Sequence, residues 1–339
     1  MKKYLLPQRQ KYLKANFHTH TNISDGKHTP EEVIAAYRGA GYDVLCLSDH
    51  NVIADHSDKT REDFLLLTGV EVNINEPLWK ETHGYITKTY HLNLIAKDPK
   101  NTWQPVAFSR SGRETAEPYR PFAQVEEMPR VHSPEAINNM IARANEKGFF
   151  VIYNHPVWSG HSYPEYAPLK GLWGMELTNY SSAVSGYNEH NHMVYQDMLE
   201  LKQWVIPTGA DDSHSDRDRF GGWTMIGAEK LEYGSVIEAM EKGDVYMSCG
   251  PEIRELSLEG NILKFRCSPA ACVLMETHAR IAKRATGQDG QPLTQGEFDL
   301  TRFLERSAGD DRAFVRLTVF GTDGTYAATR AYRLAELEG

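Results

Sequence analysis

Three short motifs, Asn16-Phe17-His18-Thr19-His20, Ser48-Asp49-His50 and Asp212-Ser213-His214, restrict what this 339-residue chain can fold into more than anything else in it. Two histidines at i and i+2 on a strand project from one face, so His18 and His20 reach one ion only where their strand ends at a pocket. Asp212 and His214 repeat that spacing far downstream. Between them come Ser24-Asp25-Gly26 and then Gly69-Val70-Glu71, His91 and Asn154-His155, the last three each read at the carboxyl end of an apolar run. The pattern describes a polynuclear metal site, and it demands a fold that brings several strand ends together.

The rest of the sequence supplies such strands. Apolar, β-rich runs at Val44–Leu47, Leu65–Val70, His91–Ile95, Phe149–Tyr153, Gly174–Leu177 and Trp204–Ile206 join the Phe17 strand to make seven, alternating with helical patterns. Alternation of this kind predicts parallel strands joined by crossovers, with the chemistry at their carboxyl ends. The helices carry start and stop signals. Thr29-Pro30-Glu31-Glu32 sets a capping box before a helix ended at Gly41, and Ser133-Pro134-Glu135 opens another closed at Gly148.

Residues 97–132 break the rhythm with five prolines and no periodicity, which predicts an insertion over the site mouth. Its cations, Arg110, Arg113, Arg120 and Arg130, are nearly balanced by Glu114, Glu117, Glu126 and Glu127, so a substrate lid and a decorative loop are both compatible with it. From about residue 252 the texture changes to short alternating strands, such as Leu263–Cys267 and Val315–Val319, with a hairpin turn at Thr322-Asp323-Gly324-Thr325. The expectation is therefore two domains: a barrel over 1–250, joined through a helix at Ser235–Lys242 and the Gly250-Pro251 step to an antiparallel β-domain over 251–339.

The formal charge is −9, and the first 251 residues hold 25 Lys and Arg against 33 Asp and Glu, so the acidity sits with the metal motifs. Such a balance argues against non-specific binding to a nucleic-acid backbone, which needs a basic stripe. No apolar run is long enough for a membrane span or a signal peptide, and the four cysteines form no CxxC pair, so the expectation is a cytoplasmic protein with reduced thiols.

In the order and spacing of these motifs, roughly residues 14 to 250 resemble the PHP (polymerase and histidinol phosphatase) family, α/β proteins with distorted seven-stranded (β/α)7, TIM-like barrels. The resemblance implies one ion on His18, His20, Glu71 and Asp212, a second on Glu71, His91 and His155, and a third on Asp25, His50 and His214. Imidazole and carboxylate ligands without cysteine suit Zn²⁺, Mn²⁺ or Fe²⁺, so the implied cofactors are divalent transition metals, up to three per chain. Glu71 would bridge two ions that share an ionised water, giving a metal-dependent phosphoesterase acting on a small phosphorylated metabolite or nucleotide. The fused β-domain, read as a small sandwich, resembles the carbaryl-hydrolase-like branch. That likeness keeps a carboxyl- or carbamate-ester hydrolase as the alternative, and a metal-bound binding or sensing module as a third reading.

Other residues are candidates on position alone. Asp49 and Asp211 adjoin ligands and suit either ligand orientation or proton transfer. Arg217 and Arg219 follow His214 closely enough to grip a phosphate, with pairing to Asp216 and Asp218 as the alternative. Trp158 and Tyr180 either line the pocket or cap the barrel. His190 and His192 fall in a helical pattern where i and i+2 diverge, which points to a solvated helix face, and His83, His132 and His161 are read as structural.

Overall fold

The computed structural model describes residues 2–77, 87–108, 114–278 and 280–338. His83, Arg110 and Arg113 lie outside the described residues. All seven anticipated strands are present, at Leu13–Asn16, Val44–Leu47, Leu65–Asn75, Thr89–Ala96, Phe149–Tyr153, Gly174–Asn179 and Ile206–Ala210. Their apolar runs are buried on both faces, as strands flanked by helices must be. The helix Pro30–Gly39 starts at Thr29, whose side chain and that of Glu32 form the reciprocal capping box, and Pro134–Glu146 starts on the Ser133 hydroxyl.

Two features depart from a parallel barrel. The Thr89–Ala96 strand runs antiparallel to both neighbours, Leu65–Asn75 and Phe149–Tyr153, because the chain doubles back from Asn75 onto Thr89. His91 therefore lies near the start of its strand and still reaches the end of the sheet where its neighbours finish. The second departure is closure. The outermost strands, Leu13–Asn16 and Ile206–Ala210, meet through the Thr19–Ser213 bridge rather than along a continuous ladder. Leu13–Asn16 is instead paired with an antiparallel strand, Trp223–Ile226, which pairs onward with Val245–Ser248. Gly209 passes so near Trp223 that a Cβ there would sit 2.7 Å from its carbonyl oxygen.

The same sheet then continues into the second half of the chain. Val245–Ser248 pairs with Tyr326–Thr329, followed by Phe314–Phe320, Cys272–Thr277 and Lys283–Thr286, to give 14 strands in one sheet. A four-stranded sheet of Lys2–Tyr4, Ile253–Glu259, Ile262–Ala270 and Leu293–Asp299 packs against this end. The anticipated antiparallel strands are thus there, but the halves are interlocked. Residues 2–4 pair with the second sheet, and Phe314, Tyr326, Ala328 and Ala331 belong to the core of the first half.

Candidate metal centre

Backbone hydrogen bonds between strand ends set the positions of the motifs. Asp212 N donates to His18 O at 2.8 Å, His20 N to Ser213 O at 2.9 Å, Ser48 N to Thr19 O at 2.8 Å and Glu71 N to Ser48 O at 3.1 Å. Four separate segments are stitched into one rim. Asp25 is delivered by a tight loop in which Gly26 has no room for a side chain, since a Cβ would come within 2.7 Å of the His20 carbonyl group. Asp212 and Asn51, beside His50, both hold φ of 54°, a left-handed conformation that costs non-glycine residues energy and is sustained by the surrounding bonds.

The nine residues implied by the family pattern converge. His18 Nε2 lies 3.1 Å from both Glu71 Oε1 and Asp212 Oδ1, while His20 Nε2 is 3.2 Å from Glu71 Oε2 and 3.1 Å from Asp212 Oδ1. His91 Nδ1 and His155 Nε2 approach the same Oε1 as His18, at 2.9 and 3.4 Å. His50 Nδ1 faces Oε2 at 3.0 Å. Asp25 gathers His20, His50 and His214 at 3.6, 3.6 and 3.5 Å. Glu71 thus offers each carboxylate oxygen to a different set of imidazoles.

The donor set fits divalent ions. Ligand atoms that share an ion at roughly 2.0–2.2 Å must lie about 3 Å from one another, and these do. Among the described residues His50 Nδ1 and Glu71 Oε2 are buried without a hydrogen-bond partner although only 3.0 Å apart. Buried polar atoms are ordinarily bonded, so atoms aimed at one point without bonding each other suit a cation between them. Among the described residues four overlapping groups bring their ligand atoms close enough to share an ion: His18, His20, Glu71 and Asp212; His20, Asp25, His50 and His214; His50, Glu71 and His91; His18, His155 and Glu176.

Burial opposes charge on each of these groups, and their mutual attraction decides the result. Asp212, Glu71 and Glu176 overcome burial to hold the His18 pKa well above its ordinary value, and Asp212 and Glu71 carry His20 to about 10. Burial wins at His50, which falls to about 3. Glu71 is held well below the carboxylate range, against its burial, by His18, His91 and His50. The carboxylates are therefore ionised, and His18 and His20 would have to give up their protons to serve as metal ligands.

Sequence reasoning missed Glu176. Its Oε1 lies 2.7 Å from His18 Nδ1, and its Oε2 accepts from His155 N at 3.1 Å and Asn179 Nδ2 at 2.9 Å, so it fixes two imidazole carriers at once. The one available signal was a carboxylate inside the apolar run Gly174–Leu177. Asn154, which donates to Glu71 Oε1 at 2.8 Å, and Asn179, 3.2 Å from Asp212 Oδ2, orient ligands in the same way. A cavity of about 110 Å³ opens above the cluster, walled by Trp158 on the His91 and His155 side and by Ser181, Ser182 and Ser185 opposite. A larger hollow of about 560 Å³ between residues 8–14 and 252–255 holds none of these residues.

Several position-based candidates prove to do other work. Asp49 accepts from Thr21 N, Thr21 Oγ1, Ser24 N and Ser24 Oγ at 2.7–3.1 Å, and so holds the loop that carries Asp25. Asp211 accepts from Phe220, Gly221 and Gly222 N–H groups at 2.8, 2.9 and 3.0 Å and from the Tyr37 hydroxyl, with burial raising its pKa to about 6. Neither carboxylate lines the cavity, and of their two anticipated roles these bonds favour orientation. Arg217 donates to Val184 O and Arg219 pairs with Asp216 at 2.7 Å, and neither lines the cavity. Tyr180 packs on Gly221 instead of lining the pocket. Nor do the described residues of 97–132 form its wall. Gln104 is tied to Asn51 O and Ile53 N, and Trp103 and Val106 enter the main core, so this insertion is packed beside the site. His190 bridges to Thr178 and His192 starts the helix His192–Glu200, both packing on Tyr326.

The PHP domain family model matches residues 16–128. Among solved structures, a two-domain Bacteroides vulgatus protein containing a predicted PHP-like metal-dependent phosphoesterase aligns at 17% identity and TM-score 0.45, over 98% of this chain and 97% of that one. A Bifidobacterium adolescentis protein provisionally assigned as a metal-dependent phosphoesterase aligns at 17% identity and TM-score 0.38, over 59% of this chain and 87% of its own. An amidohydrolase from Chromobacterium violaceum, with bound sulfate and no metal, aligns at 15% identity and TM-score 0.37, over 60% and 89%. No curated protein matches.

Proposed function

We propose, from the match of the PHP domain model to residues 16–128 together with the geometry of the site, that this chain is a metal-dependent hydrolase, and more finely a phosphoesterase acting on a small phosphorylated metabolite or nucleotide. The observation that carries the reading is the placement of Glu71, whose Oε1 faces His18, His91 and His155 while its Oε2 faces His20 and His50. A carboxylate so shared suits neighbouring ions. When bound, such ions supply Lewis acidity and lower the pKa of water toward neutrality.

The residues of the chain do the remaining work. Glu71 and Asp212 supply the negative charge that retains the ions, and Glu176 keeps His18 Nδ1 occupied so that Nε2 is directed inward. Trp158 and the serines Ser181, Ser182 and Ser185 bound the space a substrate must enter, and their hydroxyls can donate to its oxygens. Zn²⁺, Mn²⁺ and Fe²⁺ all suit the donor set, in up to three positions.

The deciding experiment measures turnover of phosphomonoesters, phosphodiesters, and carboxyl and carbamate esters after loading with Zn²⁺, Mn²⁺ or Fe²⁺. Turnover of a phosphate ester that is lost in Glu71→Ala supports the reading. Turnover of carboxyl or carbamate esters alone would replace it with acyl hydrolysis, and a loaded protein inert toward the whole panel would overturn it.

A further inference from the structure

The antiparallel half holds twelve Lys and Arg residues, and they divide into two sets. Arg254, Lys264, Arg266, Arg312, Arg316, Arg330 and Arg333 each face a carboxylate within 4 Å. The remaining five, Arg280, Lys283, Arg284, Arg302 and Arg306, have no ion-pair partner among the described residues. Four of those five line one groove of about 540 Å³, between the segment 280–283 and the helix Thr301–Ser307. Arg302 and Arg306 stand one turn apart on the exposed face of that helix, over the buried ring of Phe303. The groove's one carboxylate, Asp299, accepts from Thr301 N at 2.8 Å, and Lys283 donates to the Asp299 carbonyl.

Four cations gathered around a single carboxylate repel one another, and none has the close ion pair that the other cations of this half have. An anion removes that repulsion. Guanidinium groups present planar forks that bind phosphate oxygens bidentately, and four cations match the charge of linked phosphates better than that of a single carboxylate. The groove's volume is that of a small-ligand site. A long nucleic-acid backbone needs an extended basic surface, and this chain is acidic overall, which favours a small ligand.

We propose that this groove is a second ligand site, separate from the metal centre, for a small molecule bearing two or three linked phosphates, with Arg280, Lys283, Arg302 and Arg306 as its phosphate contacts. The site is on the second domain and does not depend on what the metal centre hydrolyses.

The test is fluorescence anisotropy of a ribose-labelled adenosine triphosphate analogue with a methylene β–γ bridge, titrated with the full-length, metal-loaded protein at 0.15 M salt. Inorganic tripolyphosphate serves as competitor. Saturable binding that tripolyphosphate displaces, weakened tenfold or more in R302A/R306A and in R280A, and unchanged in the equally discharged control R254A/R312A, is the expected result. Equal weakening in the control would reduce the effect to general charge and overturn the site. So would the absence of saturable binding, or binding lost in Asp212→Ala while R302A/R306A retains it, which would assign the ligand to the metal centre. Tighter binding of a single-stranded oligonucleotide than of the nucleotide analogue would overturn the small-ligand assignment.

Discussion

The hydroxyl of Tyr326, in the antiparallel half, lies 3.2 Å from the carbonyl oxygen of Leu177, the residue next to Glu176 in the strand behind the metal cluster. It also meets Thr178 Oγ1 and lies 3.4 Å from His190 Nδ1, while its ring packs against His192 at 4.7 Å. The second half of the chain is therefore a brace for the strand that orients His18.

A protein cut after Pro251 is accordingly expected to fail as a folded unit. Val245–Ser248 would become an edge strand, open on the side where it pairs with Tyr326–Thr329, and the core would lose Phe314, Tyr326, Ala328 and Ala331. Expression of residues 1–251 should give aggregated material. A soluble monomer with the metal content of the full chain would show that the halves stand alone.

Replacing Glu176 by Gln should weaken metal binding by roughly 10–100-fold, the usual cost of losing a carboxylate behind a ligating imidazole. The shape is kept, while the charge that favours the correct His18 tautomer is lost. Competition with a chromophoric chelator measures the change, and affinity equal to the parent protein would mean that Glu71 and Asp212 alone orient His18.

The metal motifs were legible because i, i+2 pairs and strand ends are local properties, and such pairs report direction without knowledge of the fold. Glu176 was not legible, since a single carboxylate in an apolar run does not declare which imidazole it will face. His91 was placed at the wrong end of its strand, because strand polarity is decided by the pairing of Asn73 with His91 and Glu71 with Asn93. The continuity of the sheet was also hidden. It depends on Met247 meeting Ala328, a register that no local spacing encodes. Arg219 shows the converse: the local alternative, pairing with Asp216 three residues away, won over a reach across the site.

Asp211→Ala should lower stability by about 2–4 kcal/mol, because the buried Gly222 N–H, the half-buried Phe220 and Gly221 N–H groups and the Tyr37 hydroxyl lose their acceptor. The removal of a buried carboxylate whose own ionisation is disfavoured keeps the loss from being larger. The urea midpoint of the metal-free protein reads the effect, together with faster proteolysis within residues 215–222. An unchanged midpoint would show that the loop carrying His214 is held by other contacts.

His161 provides a pH signature distinct from the metal centre. Its ring stacks on Tyr153 with the hydroxyl 2.5 Å from Nδ1, its Nε2 is buried without a partner, and burial lowers its pKa from 6.5 to about 3. The unfolded chain therefore binds a proton between pH 6.5 and 3 that the folded chain excludes. Stability from this residue is complete above pH 6.5 and declines as the pH falls, by at most about 1.4 kcal/mol per unit. Metal-free protein compared by urea unfolding at pH 7.5 and pH 5.0 should lose up to about 2 kcal/mol more than His161→Gln does over the same interval. Equal losses in the two proteins would mean that His161 is protonated in the folded state, with its neighbours adjusting to accept the charge.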